Sequence, residues 1–287
     1  VPPIFILSSP RSYSSLFGTM LGEHPDLFGF PEMRLFAAET VGQLQRRSRL
    51  YRIFTLDGIH RTISLLEFGG QSAEQVQAAI EWLNNRRDWT TARLWAHLSE
   101  RVAPQTLLAK EPILTAHPNF LHRTERICPN ARYIHLIRDP RDVRLSIQEA
   151  FKGVKQRFGI PLHWFVKDEA VWTYCNKRIV DFLHTIPEDR KVTVRGEDLM
   201  TQPEALFKDL TARLHLPFHA DILDQMLHPE NGPFAHVGPP NAPLGNDTKF
   251  LHNPVFRQGS TRSKTPTDGF SPSSLALATE LGYQINT

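Results

Sequence analysis

The chain has 287 residues, 40% hydrophobic and 22% charged, with a formal net charge of +3. That composition excludes general disorder and provides enough chain for a real core, and so modest a charge argues against nonspecific nucleic-acid binding as the main task. No apolar run approaches the roughly 18 residues of a membrane span, and Cys128 and Cys175 are too few for a disulfide framework. The expectation is a single soluble domain over residues 1–287, with no nucleic-acid partner and no integral membrane segment. A reducing, cytoplasmic compartment fits, with both cysteines as buried thiols.

The first apolar run, Ile4 to Leu7, suits a strand buried on both faces of a parallel sheet, and it is too short and lacks the basic leader for a signal peptide. Ser8, Ser9 and Pro10 break it. From Ser14, the residues Leu16, Phe17, Met20 and Leu21 recur at helical spacing behind several serines suited to cap the helix. The order is strand, hydroxyl-rich loop, helix. The free N–H groups of such a helix, the hydroxyls of Ser12, Ser14 and Ser15 and the guanidinium of Arg11 would converge on one anion. A nucleotide triphosphate loop would read G-x-x-x-x-G-K-[ST], and this loop has neither its glycine nor its lysine.

Next comes H-P-D-L-F-G-F-P-E-M-R-L-F, whose prolines and glycine read as a loop, with Glu32 at the junction to a helix from Met33 to about Tyr51. Gln71 to Asn84 and Thr91 to Val102 read as two more helices, so residues of about 33–103 form a helical insertion. Thr106 to Ala109 is a second buried strand. It ends in Lys110, Glu111 and Pro112, and a charged pair at a strand end marks a site. Asn119 to Cys128 is helical, and Arg132 to Ile137 is a clear strand running into R-D-P-R-D-V-R-L-S-I, with helix from Asp142. Trp164 to His184 reads as a long amphipathic helix, Lys191 to Arg195 as a strand and Gln202 to Leu214 as a helix. Residues of about 228–268 are rich in proline, glycine and asparagine and read as a covering loop before a last helix near Ser271 to Leu281. The alternation of strand and helix predicts an α/β fold with a central parallel sheet flanked by helices.

Several of these segments resemble the sulfotransferases that use 3′-phosphoadenosine 5′-phosphosulfate (PAPS). The loop R-S-Y-S-S resembles their phosphosulfate loop, which would make Arg11, Ser12, Tyr13, Ser14 and Ser15 donor-binding residues. Tyr13 stands there in place of the usual glycine. Arg138 and Ser146, eight residues apart, match the arginine and serine that hold the 3′-phosphate in that family. A-K-E-P-I resembles the K-x-P segment of bacterial and tyrosylprotein members, so that Lys110 would face the bridging oxygen where charge grows as the bond breaks. F-R-Q-G resembles a late R-K-G loop, which would make Arg257 a further phosphate contact, with Gln258 in the lysine position. V-R-G-E-D-L also resembles the family and reads as structural.

Two residues compete for the role of base. The stretch ending in F-P-E-M-R resembles that of tyrosylprotein sulfotransferases and implies Glu32. G-N-D-T-K-F-L-H-N-P is similar to the late loop of sulfotransferase domains in polyketide assembly lines and implies His252, a side chain that titrates nearer neutrality. His117 is a weaker rival. The resemblance implies a P-loop-NTPase-like fold, no metal, and in-line transfer to a hydroxyl or amine acceptor, with adenosine 3′,5′-bisphosphate (PAP) as product. A carrier-bound acyl chain, a sugar, a tyrosine and a small metabolite all stay open as acceptors. The alternatives are a P-loop phosphotransferase, which would bind ATP with magnesium, and a noncatalytic nucleotide-binding module, which would bind nucleotide without turnover.

Overall fold

The computed structural model describes residues 2–50, 55–158, 168–259 and 269–284. Five strands, β1 (Ile4–Ser8), β2 (Leu27–Phe30), β3 (Thr106–Lys110), β4 (Arg132–Ile137) and β5 (Lys191–Arg195), form a sheet in the order β2-β3-β1-β4-β5. All the neighbouring strands run parallel. Ile6 on the central strand lies opposite Lys110 on one side and Ile134 on the other. This register brings the carboxyl ends of β1, β3 and β4 to one edge, where open α/β sheets place their ligands.

The crossovers are helical, as parallel pairing requires. After β1 comes α1 (Ser14–Gly22), and between β2 and β3 lie α2 (Val41–Leu50), α3 (Asp57–Phe68), α4 (Ala73–Asn84) and α5 (Thr91–Val102). Then follow α6 (Pro118–Ile127) before β4, and α7 (Pro140–Phe158) and α8 (Asp168–Leu183) before β5. The chain ends through α9 (Gly196–Thr201), α10 (Pro203–Leu214), α11 (Ala220–Met226), α12 (Thr248–His252) and α13 (Pro272–Glu280).

Side chains of a strand alternate between faces, and β1 supplies residues to the two larger clusters of the core. Phe5 and Leu7 enter one cluster, where the Phe5 ring stacks at 5.4 Å on Trp95 and 5.9 Å on Tyr133. Ile4 and Ile6 enter the other, with Phe17 of α1 and Phe207 of α10.

Two expectations need correction. The segment read as a loop contains β2, because Pro25 and Pro31 flank Leu27–Phe30 and β2 pairs on one side only, with β3. Prolines are tolerated at such an edge. The helix expected from Met33 is instead a 3₁₀ turn at Leu35–Ala37, and α2 starts only at Val41. Arg34 is left-handed, with φ of 56°, which breaks any helix there. Helix α3 falls within the helical insertion expected over about 33–103 but had no bounds of its own. The expected helical residues Tyr51 and 164–167, and 260–268 of the covering loop, lie outside the described residues. Among the described residues no helix is long and apolar enough to cross a membrane. Both cysteines are buried and free, as expected.

The start of α3 packs against the backbone that carries Glu32. A Cβ added to Gly58 would lie 2.2 Å from the Glu32 carbonyl oxygen, so only glycine fits. Gly58→Ala should therefore destabilise the protein by about 1–3 kcal/mol, the usual cost of overpacking. Denaturant melts of the two proteins check this.

Candidate active site

The loop after β1 is bent by two side-chain-bearing residues in the left-handed region, Arg11 (φ 67°) and Tyr13 (φ 64°). Each costs roughly 1–2 kcal/mol relative to a right-handed residue, so surrounding contacts must hold them. For Tyr13 those contacts are plain. The Arg138 guanidinium lies 3.9 Å from the centre of its ring, and a Cβ on Gly196 would come within 2.9 Å of the ring edge. The glycine of V-R-G-E-D-L thus makes room for the ring. Tyr13 also takes the cap position of α1, with no side-chain cap hydrogen bond, so the expected serine cap is absent. Ser14 and Ser15 lie inside the first turn instead.

Arg11 reaches away from its own strand. Its Nε donates to Ser146 Oγ on α7 at 3.0 Å, and its Nη1 pairs with the Asp247 carboxylate at the start of α12. Arg138, at the end of β4, donates from Nη1 to the Arg11 carbonyl at 2.8 Å, and its Nη2 lies 3.8 Å from Asp142. Its Nε is buried with no hydrogen-bond partner. An unmet buried donor costs about 1–3 kcal/mol, and an anion seated between Arg11, Arg138 and Ser146 would satisfy it. Of the expected loop donors, Ser12 is buried with its Oγ 2.8 Å from that of Ser9. Asp139 pairs with Arg141 and donates its backbone N–H to Glu197, so the rest of the R-D-P-R-D turn is structural.

The second cluster joins β3 to the segment after β2. Lys110 Nζ is 2.6 Å from Glu32 Oε1 and 3.1 Å from Ser15 Oγ, and its side chain is only 3% exposed. Burial works to raise the Glu32 carboxyl, but the adjacent Lys110 and Arg34 outweigh it and hold the group below its ordinary value. Glu32 is therefore ionised at neutral pH. Its turn is clamped by the next residue of β3, since Glu111 accepts the Met33 N–H at 2.8 Å and the Arg34 N–H at 2.9 Å. Glu32 N–H itself donates to the Gly245 carbonyl at 2.7 Å.

The other expected residues stand apart from these contacts. His252 is exposed on α12, with Nδ1 2.7 Å from the Thr248 carbonyl. Arg257 is exposed, and His117 caps α6 through Asn119 N–H at 3.2 Å. Sequence reasoning missed Asp247, which pairs with Arg11, receives a bond on its carboxylate from Lys249 N–H, and donates its own N–H to Ser15 Oγ. Its place before a short helix, as an N-cap, was the available signal. Glu111 was visible only as half of a charged pair.

Residues 2–220 match the Sulfotransferase family. The chain belongs to that family. Two solved structures share this sulfotransferase's architecture along its whole length. The sulfotransferase domain from the curacin biosynthetic pathway is 25% identical, with a TM-score of 0.82, covering 100% of this chain and 99% of that one. The sulfotransferase domain from the Synechococcus PCC 7002 olefin synthase is 26% identical, with a TM-score of 0.78, covering 100% and 96%. A Mycobacterium avium sulfotransferase, 13% identical with a TM-score of 0.50 over 99% of this chain and 78% of its own, shares the fold. No curated protein matches the sequence.

Glu111 offers a test of how the Glu32 turn is held. It is fully buried, and burial pushes its carboxyl up to about 8, helped by the nearby Glu32 and opposed by the N–H donors and Arg34. A folded value above the ordinary 4.5 means that stability is full below 4.5 and falls as pH rises through about 8. Glu111→Gln, which keeps one acceptor oxygen and cannot ionise, should lack that slope. Melting curves across this window should show the wild type losing ground to the variant as pH rises.

Proposed function

We propose that this sulfotransferase takes its sulfonyl group from PAPS and passes it to the hydroxyl of a carrier-bound chain, with Glu32 as the base. The observation that carries this reading is the buried Lys110–Glu32 pair beside Ser15, next to the guanidiniums of Arg11 and Arg138. When bound, the donor supplies an activated sulfonyl group on a good leaving group. The chain's own residues do the rest. Arg11, Arg138 and Ser146 would hold phosphate oxygens, with the unmet Arg138 Nε as a ready donor. Lys110 carries positive charge to where the leaving oxygen develops negative charge, and Ser15 supplies a hydroxyl beside it. Glu32, ionised and partly exposed, accepts the acceptor's proton.

The pairing of Lys110 with Glu32 suits both roles. Lys110 helps to hold the Glu32 carboxyl below its ordinary value, and an acceptor hydroxyl and a donor would come between the two groups. The carrier-bound acceptor is favoured by the whole-length likeness to the curacin-pathway and olefin-synthase domains, and the two buried free thiols suit a cytoplasmic setting. His252 is the second candidate for the base. It sits at the end of the short helix that Asp247 ties to Arg11.

Replacing Arg138 and Ser146 together with alanine should weaken PAP binding by at least about tenfold, since a single charge-assisted contact contributes on the order of 1.5–3 kcal/mol. Calorimetry with PAP reads this, and unchanged affinity would remove both residues from the nucleotide site. Glu32→Gln should lower turnover by roughly 10²-fold or more with little effect on PAP affinity, the size expected of a general base. His252→Ala should lower it less. The opposite ranking, measured where chemistry limits the rate, would transfer the role to His252.

A further inference from the structure

The ion pair of Arg11 with Asp247 ties the loop after β1 to the start of α12, 236 residues further along the chain. A guanidinium presents two forked edges, one that includes Nε and one that includes Nη1, and either can take two oxygens of one phosphate. In Arg11 the chain itself engages both edges. Nε donates to Ser146 Oγ at 3.0 Å, and Nη1 faces Asp247 Oδ2. Asp247 also donates its N–H to Ser15 Oγ at 3.1 Å, and its other carboxylate oxygen accepts from the N–H groups of Lys249 at 3.1 Å and Phe250 at 3.4 Å. Just before it the backbone is held firmly. Gly245 accepts the Glu32 N–H at 2.7 Å, Leu244 donates its N–H to Asp57 at 2.9 Å, and the Leu244 carbonyl accepts from Arg61 at 3.0 Å. Asp247 is the looser end, because its side chain is 34% exposed and water competes for a charge pair at that exposure.

We propose that Asp247 and a donor phosphate are alternative partners of Arg11, so that Asp247 sets donor affinity and donor binding releases α12 from the loop after β1. The assignment rests on the sulfotransferase reading above and adds to it a residue that links the donor to the late loop. Carboxylate and phosphate are recognised by the same planar set of N–H donors, and a carboxylate on the fork also repels a second anion brought to it. Arg138 stands differently, since its unmet Nε can take a phosphate oxygen with no contact broken. The two arginines therefore act in turn. Arg138 takes a phosphate oxygen as it stands, and Arg11 joins by giving up Asp247. The consequence for the chain is local: Leu244 and Gly245 stay held on Asp57, Arg61 and Glu32, while α12, with His252 at its end, loses its tie to Arg11.

Asp247→Asn separates the charge from the cap, because the amide keeps an acceptor oxygen for the Lys249 and Phe250 N–H groups. In calorimetric titration of the full chain with PAP, this variant should bind roughly fivefold more tightly than the wild type, the size expected when a partly exposed competing carboxylate is removed. Asp247→Ser, also an uncharged cap, carries the same expectation and decides the matter if melting curves show that the first variant does not fold. Hydrogen exchange gives a second readout. In the wild type, PAP should speed exchange at Thr248–His252, the reverse of the slowing that a ligand imposes on residues it covers, and in the variant PAP should change that segment little. Affinity that fails to rise in the folded variant, or wild-type exchange at α12 that PAP leaves unmoved or slows, would overturn the proposal and leave the donor site standing. No PAP binding by the wild type or either variant would overturn the nucleotide reading itself.

Discussion

A buried lysine needs a partner, and much of the site follows from that need. Lys110 ends the strand beside β1 with its side chain 3% exposed, and an unpaired charge there would cost several kcal/mol. Glu32 is the partner, so the segment after β2 must be held where its carboxylate meets Nζ. Glu111 clamps the backbone of Met33 and Arg34, Gly245 receives the Glu32 N–H, and Gly58 leaves space for the Glu32 carbonyl. On the other side of Lys110, Gly18 of α1 lies so close that a Cβ would be 3.3 Å from the lysine Cβ. Helices far apart in sequence are thus fixed around one ion pair.

The guanidinium side of the site is built on a different balance. Arg11, Arg138 and Lys110 are gathered at one sheet edge, and carboxylates of the chain, Asp247, Asp142 and Glu32, stand against them. Mutual compensation lets so many cations share a small volume. The balance leaves one donor unmet, the Arg138 Nε, at the place where the family likeness expects a phosphate. Tyr13 belongs to the same arrangement. Its ring supports the Arg138 guanidinium from below, a contact worth about 0.5–2 kcal/mol that helps offset the left-handed backbone beneath it.

Much of the fold was legible because its signals are local. Four strands were anticipated closely, since short β-branched and aliphatic runs bounded by loop residues have few other readings. Strand β2 was not, because Leu27–Phe30 sits between prolines and contains a glycine, and its pairing is decided by β3 rather than by its own residues. The false helix at Met33 has a similar cause. The apolar pattern there is real, but the N–H groups that a helix would direct elsewhere bind the Glu111 carboxyl oxygens, 78 residues away from Met33.

By itself, the sequence determined four of the five strands, the strand–loop–helix order at the start of the chain, and the resemblance to the family. Each is written in contiguous residues whose chemistry acts over a few ångströms along the chain. Tertiary structure alone decided the partners. That Arg11 pairs with Asp247, 236 residues on, that Lys110 meets Glu32 rather than its neighbour Glu111, and that Tyr13 fits over Gly196 all depend on which chain ends the parallel register brings together. Charge and shape select among the available partners only after folding has set the distances, because a Coulomb interaction falls with separation and solvent screens whatever stays outside.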